Sequence, residues 1–357
     1  MFEWVSDIEL ISEHEFQDVF RIGKEIMLMI AEGMAGVFDP FVHKYHIPLQ
    51  LCVLIPIKYF ASALSYVDMA IFFSVSKTKC HKLVDAFLVH FPRLFKADWV
   101  VFPSSEELPG MAAEFMKIKG VPNVVGGVDG THIPVRGMEN HRTEYYNRKS
   151  HYSVQLQVTC DARGVIWDYM VGYPGAVHDH RVFIKSKLYE RLEKGDLGDY
   201  QLLGDAAYPL RPYCLTPLHA PSKRLFKGWE QLFNYVQSAT RMPVERCIGA
   251  LKGRWRLFGR RHECRLGRVC AGVGCIIILH NMITKMMHHH LRSKKKDKGR
   301  RHGSGSNGWW MRGVMARFQW PILQRATAKD LQKRRRYFGK CLRKAYLRRH
   351  HLPPIAP

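Results

Sequence analysis

The chain has 357 residues, 46% of them hydrophobic, which is enough for one substantial domain plus a smaller one with a buried core and excludes a disordered chain. Lys and Arg number 55 against 31 acidic residues, a formal charge of +24, so a polyanion is the natural partner: nucleic acid ahead of an anionic membrane, for which no basic amphipathic helix or lipidation signal stands out. Nine cysteines without a C-x-x-C pair point to a reducing compartment, and the acidic start MFEWVSDIELISEHEF lacks the layout of a secretory signal.

The chain divides into a helical part over residues 1–100, a connector, a mixed α/β body over 120–290 and a basic tail over 291–357. In the first part, SYVDMAIFFSVSKTKCHKLVDAFL carries a helix-turn-helix pattern. Ser65 with Asp68 is a capping signal, Met69, Phe72 and Phe73 give an apolar face, and Ser76 caps a second helix with Cys80, Leu83, Val84 and Phe87 inward. Lys77, Thr78, Lys79, His81 and Lys82 then point outward, where a recognition helix meets a groove. The plain alternative is a helical hairpin that packs on the body with its lysines solvated.

The connector FPSSEELPG is turn chemistry. The body opens with VVGGVDGTHIPV, an apolar strand whose first half ends on Asp129. HYSVQLQVTC alternates Val154, Leu156 and Val158 with Gln155 and Gln157, DARG is a turn, and VIWDYMVG continues as strand. After a polar, helix-compatible stretch, QLLGDAAYP gives a short strand ending on Asp205. In VERCIGALKGRWRLF, Val244, Ile248, Leu251 and Trp255 form a helical stripe with Glu245 at its edge, and VGCIIILHNMITKMM reads as a buried helix, too short and too interrupted for a membrane span.

Acids at the ends of apolar strands and beside a core-facing stripe need cations or hydrogen bonds, because desolvation without partners costs several kcal/mol. Mg²⁺ or Mn²⁺ would supply that compensation and could act on a phosphodiester; a strand-end acid in an ordinary salt bridge is the alternative for each residue taken singly.

Several ordered blocks resemble the DDE domain of PIF/Harbinger transposases and their domesticated relatives. These are GVDGTHIPV, YYNRKSHYSVQLQVTCDARGVIWDYMVGYPGAVHDHRVF, LLGDAAYPL, FNYVQSATRMPVERCIGALKGRW and ILHNMI, within about residues 49 to 285. The resemblance implies an RNase H-like α/β fold with a central mixed sheet and flanking helices, following a helical, helix-turn-helix-like N-terminal domain. It makes Asp129, Asp205 and Glu245 catalytic ligands of a divalent metal cation, Mg or Mn, with Asp179 as a fourth ligand or a supporting acid. His178 and His180 flank Asp179 as candidate ligands or structural histidines, and Tyr208 and Pro209 shape the chain after Asp205. Arg241 and Lys252, near the Glu245 face at i−4 and i+7, are expected on DNA phosphate, as are Arg148, Lys149 and the lysines Lys77, Lys79 and Lys82.

The resemblance further implies a nuclease that cleaves DNA and could join strands, in the nucleus and with cytoplasm also allowed. It implies DNA as partner together with a Myb/SANT-like accessory protein; no membrane is expected, and an oligomer is compatible. The other reading is a domesticated nuclear DNA-binding or regulatory protein without transposition. Two prolines depart from the family pattern: Pro243 is expected to kink the Glu245 helix or start a new one, and Pro56 to disrupt the first helix of the N-terminal domain. In the tail, HHHLRSKKKDKGRRHGSGSNG reads as a nuclear localisation signal or phosphate-binding arm.

Overall fold

The computed structural model describes residues 10–137, 142–219, 228–262 and 265–298, with side chains through His290. The tail beyond Lys298 and the side chains of its lysine run lie outside the described residues.

Among the described residues, five helices build the N-terminal part: α1 (Glu13–Phe20), α2 (Lys24–Tyr45), α3 (Leu49–Ser62), α4 (Tyr66–Phe73) and α5 (Lys77–Trp99). The hairpin of α4 and α5 forms as its caps dictate. Ser65 and Asp68 complete a reciprocal capping box, and Ser76 accepts the Lys79 amide. Ser74 between them takes φ 54°, a left-handed position that reverses the chain. Met69, Phe73, Cys80, Leu83, Val84 and Phe87 are buried. Phe72 is not, because a helix of eight residues turns only a narrow stripe inward; its ring lies 4.9 Å from the Lys58 ammonium instead.

Pro56 does not break α3, which runs continuously past it and buries the ring; the packing of the helix outweighs the one backbone hydrogen bond lost. The end of the connector is helical: α6 (Leu108–Lys119) begins there, with Pro109 in its first turn, where no donor is missed.

The sheet has five strands, β1 (Val124–Pro134), β2 (Ser153–Cys160), β3 (Ile166–Pro174), β4 (Gln201–Leu203) and β5 (Cys214–Leu215), in the order β3-β2-β1-β4-β5. β3, β2 and β1 are antiparallel neighbours, whereas β1, β4 and β5 run parallel. The DARG turn joins β2 to β3: Asp161 accepts the Arg163 and Val165 amides, and Gly164 supplies the positive φ of +83°. Between strands lie α7 (Arg142–Tyr145), α8 (Asp179–Ile184) and α9 (Lys187–Glu193). After the sheet come α10 (Gly228–Arg254) and α11 (Leu266–Lys298), so the helix of the body continues past the expected boundary at 291.

Both faces of the sheet are covered. Val154, Leu156 and Val158 share one core with α10, α11 and the N-terminal helices. Val125, Val128, Trp167 and Leu202 face the other layer with Phe183, Leu188 and Tyr208. The polar half of the β2 alternation is therefore also buried: Gln157 accepts from the Tyr208 hydroxyl, and Gln155 donates to the Val177 carbonyl. Asn281 on α11 locks the layers together, donating to the carbonyls of Trp99 and Ile166 and accepting the Ile166 amide.

Two described helices, Lys24–Tyr45 and Leu266–His290, are long and apolar enough to cross a membrane, but most of the apolar stretch of the second is buried within the chain, as its reading as a core helix requires.

Candidate active site

β1 and β4 are parallel neighbours, and Gly127 is level with Leu203. Asp129 and Asp205 each follow that last pair by two residues, so both acids stand at the same end of the shared ladder, Asp205 just past the end of β4. Alternation along β1 then decides which layer each side chain meets. A Cβ on Gly127 would stand 3.0 Å from Val244, so only glycine lets α10 come this close, and Asp129 points to the same layer. Gly130 faces the opposite layer, where a Cβ would meet the Asp179 carboxylate at 2.9 Å.

Helix α10 carries the third acid. It runs continuously through the buried Pro243 from Gly228 to Arg254 and does not restart there, so Gln237, Arg241 and Glu245 fall at i, i+4 and i+8 on one face. Gln237, fully buried, donates to the carbonyls of Gly204 and Leu215 at 2.8 and 3.0 Å and so fixes α10 against the loop that holds Asp205. Arg241 reaches Asp129 with one terminal nitrogen at 3.0 Å and Glu245 with the other at 2.5 Å. Its side chain is 12% exposed, against 20% for Asp129 and 39% for Glu245. Arg241 therefore does not point out to a phosphate as expected; the two acids on either side capture it, because an unpaired guanidinium at that depth would be costly.

Burial pushes the Asp129 carboxyl upward in pKa, with Arg241 and the Gly130 amide pulling it down and Asp205 pushing it up again. Asp179 is raised by burial and then by Asp205, and lowered by Arg148 and His178. Tyr208, already raised by burial, is raised further by Asp129, Asp179 and Asp205 together. Asp205 thus stands within electrostatic reach of both other aspartates. Asp129, Asp179, Asp205 and Glu245 all offer hard carboxylate oxygens, the donors that Mg²⁺ and Mn²⁺ prefer, and the repulsion around Asp205 favours a cation. In donor chemistry the residues fit a divalent ion. In spacing they are not closed around one: among the described residues no three His, Cys, Asp or Glu side chains form a ready cage.

A basic rim borders the acids. The His132 pKa is lowered to about 4, first by burial and then by the charges of Lys149, His151, Arg148 and Lys252, which places charges from two chain segments around one ring. Arg148, Lys149 and Lys252 are exposed. His178 and His180 are exposed beside Asp179, and Tyr208 packs edge-on against Phe183 at 5.3 Å, a shaping role for the chain after Asp205. In the N-terminal hairpin Lys77 and Lys82 are exposed, while Lys79 is half-buried with its ammonium 5.0 Å over the Tyr45 ring. Gln237 is the site residue that the sequence patterns passed over. Its signal was the i, i+4, i+8 spacing to Arg241 and Glu245, which also fits an ordinary polar helix face.

Residues 128–281 match the DDE superfamily endonuclease family. The chain is 32% identical over 161 residues to "Putative nuclease HARBI1" of Rattus norvegicus and 31% identical over 161 residues to the Homo sapiens protein of that name, each match covering 45% of both chains. It is 28% identical over 203 residues to "Protein ALP1-like" of Arabidopsis thaliana, covering 50% of this chain and 48% of that one. The chain thus spans about half the length of the curated relatives it matches. No solved structure matches it. Over residues 128–281 the chain thus matches a DDE superfamily endonuclease domain, and it is homologous to the putative nuclease HARBI1 and to ALP1-like proteins.

Proposed function

We propose that this chain is a nuclease that hydrolyses phosphodiester bonds in DNA, with Asp129, Asp205 and Glu245 as the carboxylates that hold divalent metal and Asp179 as a further acid beside Asp205. The observation that carries the reading is the parallel register of β1 and β4, whose last pair lies two residues before each of two acids, beneath a helix whose own acid reaches the same guanidinium as Asp129. The sheet order, three antiparallel strands followed by two parallel ones, supports an RNase H-like body.

A bound divalent pair would activate water and stabilise the leaving oxygen of the phosphodiester. The protein contributes the rest. Gln237 and the close approach at Gly127 hold α10 and the Asp205 loop at fixed distance, and the layers of side chains on both faces keep the carboxylates at the rim of a dry core. Arg148, Lys149 and Lys252 would hold DNA phosphates beside the acids, with Lys77, Lys79 and Lys82 as a second contact on the N-terminal hairpin. Joining of the cleaved end to a new target, a Myb/SANT-like accessory protein and a nuclear location belong to the same reading.

The test is a plasmid-nicking assay with Mg²⁺ or Mn²⁺. Glu245→Gln keeps the side chain's size but removes a ligand charge, so the rate should fall on the order of a hundredfold while the protein stays folded. Undiminished nicking by that variant, or nicking that survives chelation of metal, would overturn the reading; DNA binding without cleavage by the wild type would favour the regulatory one.

A further inference from the structure

An arginine between two proposed metal ligands needs an explanation, because a cation and a metal ion compete for the same lone pairs. Arg241 lies on α10 one turn before Glu245 and spans from it to Asp129, with one nitrogen on each carboxylate. Its third donor, Nε, is buried and has no acceptor among the described residues. A residue selected only to stabilise this arrangement would satisfy that group, since an idle buried donor costs free energy. The guanidinium is thus well placed on two acids and incompletely satisfied, as expected of a group that holds the site in one state and is released in another.

We propose that Arg241 is the resident counter-cation of the acid cluster, bridging Asp129 and Glu245 in the metal-free chain and competing with divalent metal for those two carboxylates. The inference rests on the nuclease reading above. Without metal, the bridge gives the part-buried Asp129 and Glu245 carboxylates the counter-charge they would otherwise lack. A divalent ion brings more charge to the same oxygens and displaces the guanidinium. Freed at the rim, Arg241 has a planar set of donors that suits a phosphate oxygen, so the phosphate contact expected of it would arise only after displacement.

The competition has a sign opposite to that of a structural pin. Replacing Arg241 with a neutral side chain removes one positive charge from the site and leaves the carboxylates free for the ion. Calorimetric titration with Mn²⁺ alone, without DNA, should show R241Q binding on the order of tenfold more tightly than the wild type, with a lower melting temperature in chelator and a larger rise on adding Mn²⁺. R241K, which keeps one charge but offers a single donor nitrogen in place of two terminal ones, should fall between them and provides the comparison if R241Q does not fold. Wild-type protein that binds no Mn²⁺ overturns the site reading and this inference with it. Wild-type binding together with equal or weaker binding by both variants overturns the inference alone and makes Arg241 a structural pin.

Discussion

The side chain of Gln237 reaches from the middle of α10 to the carbonyl of Gly204, 2.8 Å away and one residue before Asp205. The helix that carries one acid is thereby fastened to the loop that carries another, just past the last residue of β4. A second bond to the Leu215 carbonyl at 3.0 Å ties β5 to the same side chain.

Gln237→Leu keeps the bulk but leaves both carbonyls without that donor. It should cost about 1–3 kcal/mol in urea unfolding and lower the nicking rate, because the Asp205 loop is no longer held against α10. Stability and rate both equal to wild type would show that the two bonds position nothing.

Gly130→Ala tests Asp179 without changing its charge. The new methyl would stand 2.9 Å from the Asp179 carboxylate, the movable end of a side chain, so folding should survive with a change below about 1 kcal/mol. If Asp179 belongs to the site, displacing it should weaken Mn²⁺ binding in the same direction as Asp179→Asn. Weakening by D179N but not by G130A would mean that the carboxylate moves aside without losing its role.

Asp168 on β3 gives a pH signature away from the site. Burial raises its pKa from 3.8 to about 6, against the opposing charges of Lys96 and Arg191. A carboxyl raised on folding binds its proton more tightly in the native state. Its contribution is therefore most favourable below the unfolded value and is lost as pH rises through the window from 3.8 to about 6. Asp168→Asn removes that titration, so relative to wild type the variant should gain on the order of 2 kcal/mol between pH 4 and pH 7, read from melting curves across the range. A constant offset between the two proteins would show that Asp168 titrates normally.

The sequence by itself determined the elements and the acids. Caps at Ser65 and Ser76, the alternation of β2, the DARG turn and the apolar runs ending at Asp129 and Asp205 are local signals, and local hydrogen bonding and side-chain periodicity made them legible. Only the tertiary structure decided what depended on two segments meeting. Pro243 and Pro56 looked like breaks because their penalty is local, whereas the burial that outweighs it comes from other elements. The alternation of β2 left open what covers Gln155 and Gln157; both are buried, and Tyr208 donates to Gln157. Arg241 looked like a phosphate ligand because a basic residue one turn from an acid is usually solvated; the close approach of β1 at Gly127 brings Asp129 to its other side and turns it inward. Sequence spacing fixes which residues share a face of one helix, and only the packing of that helix against β1 fixes the charge that the face meets.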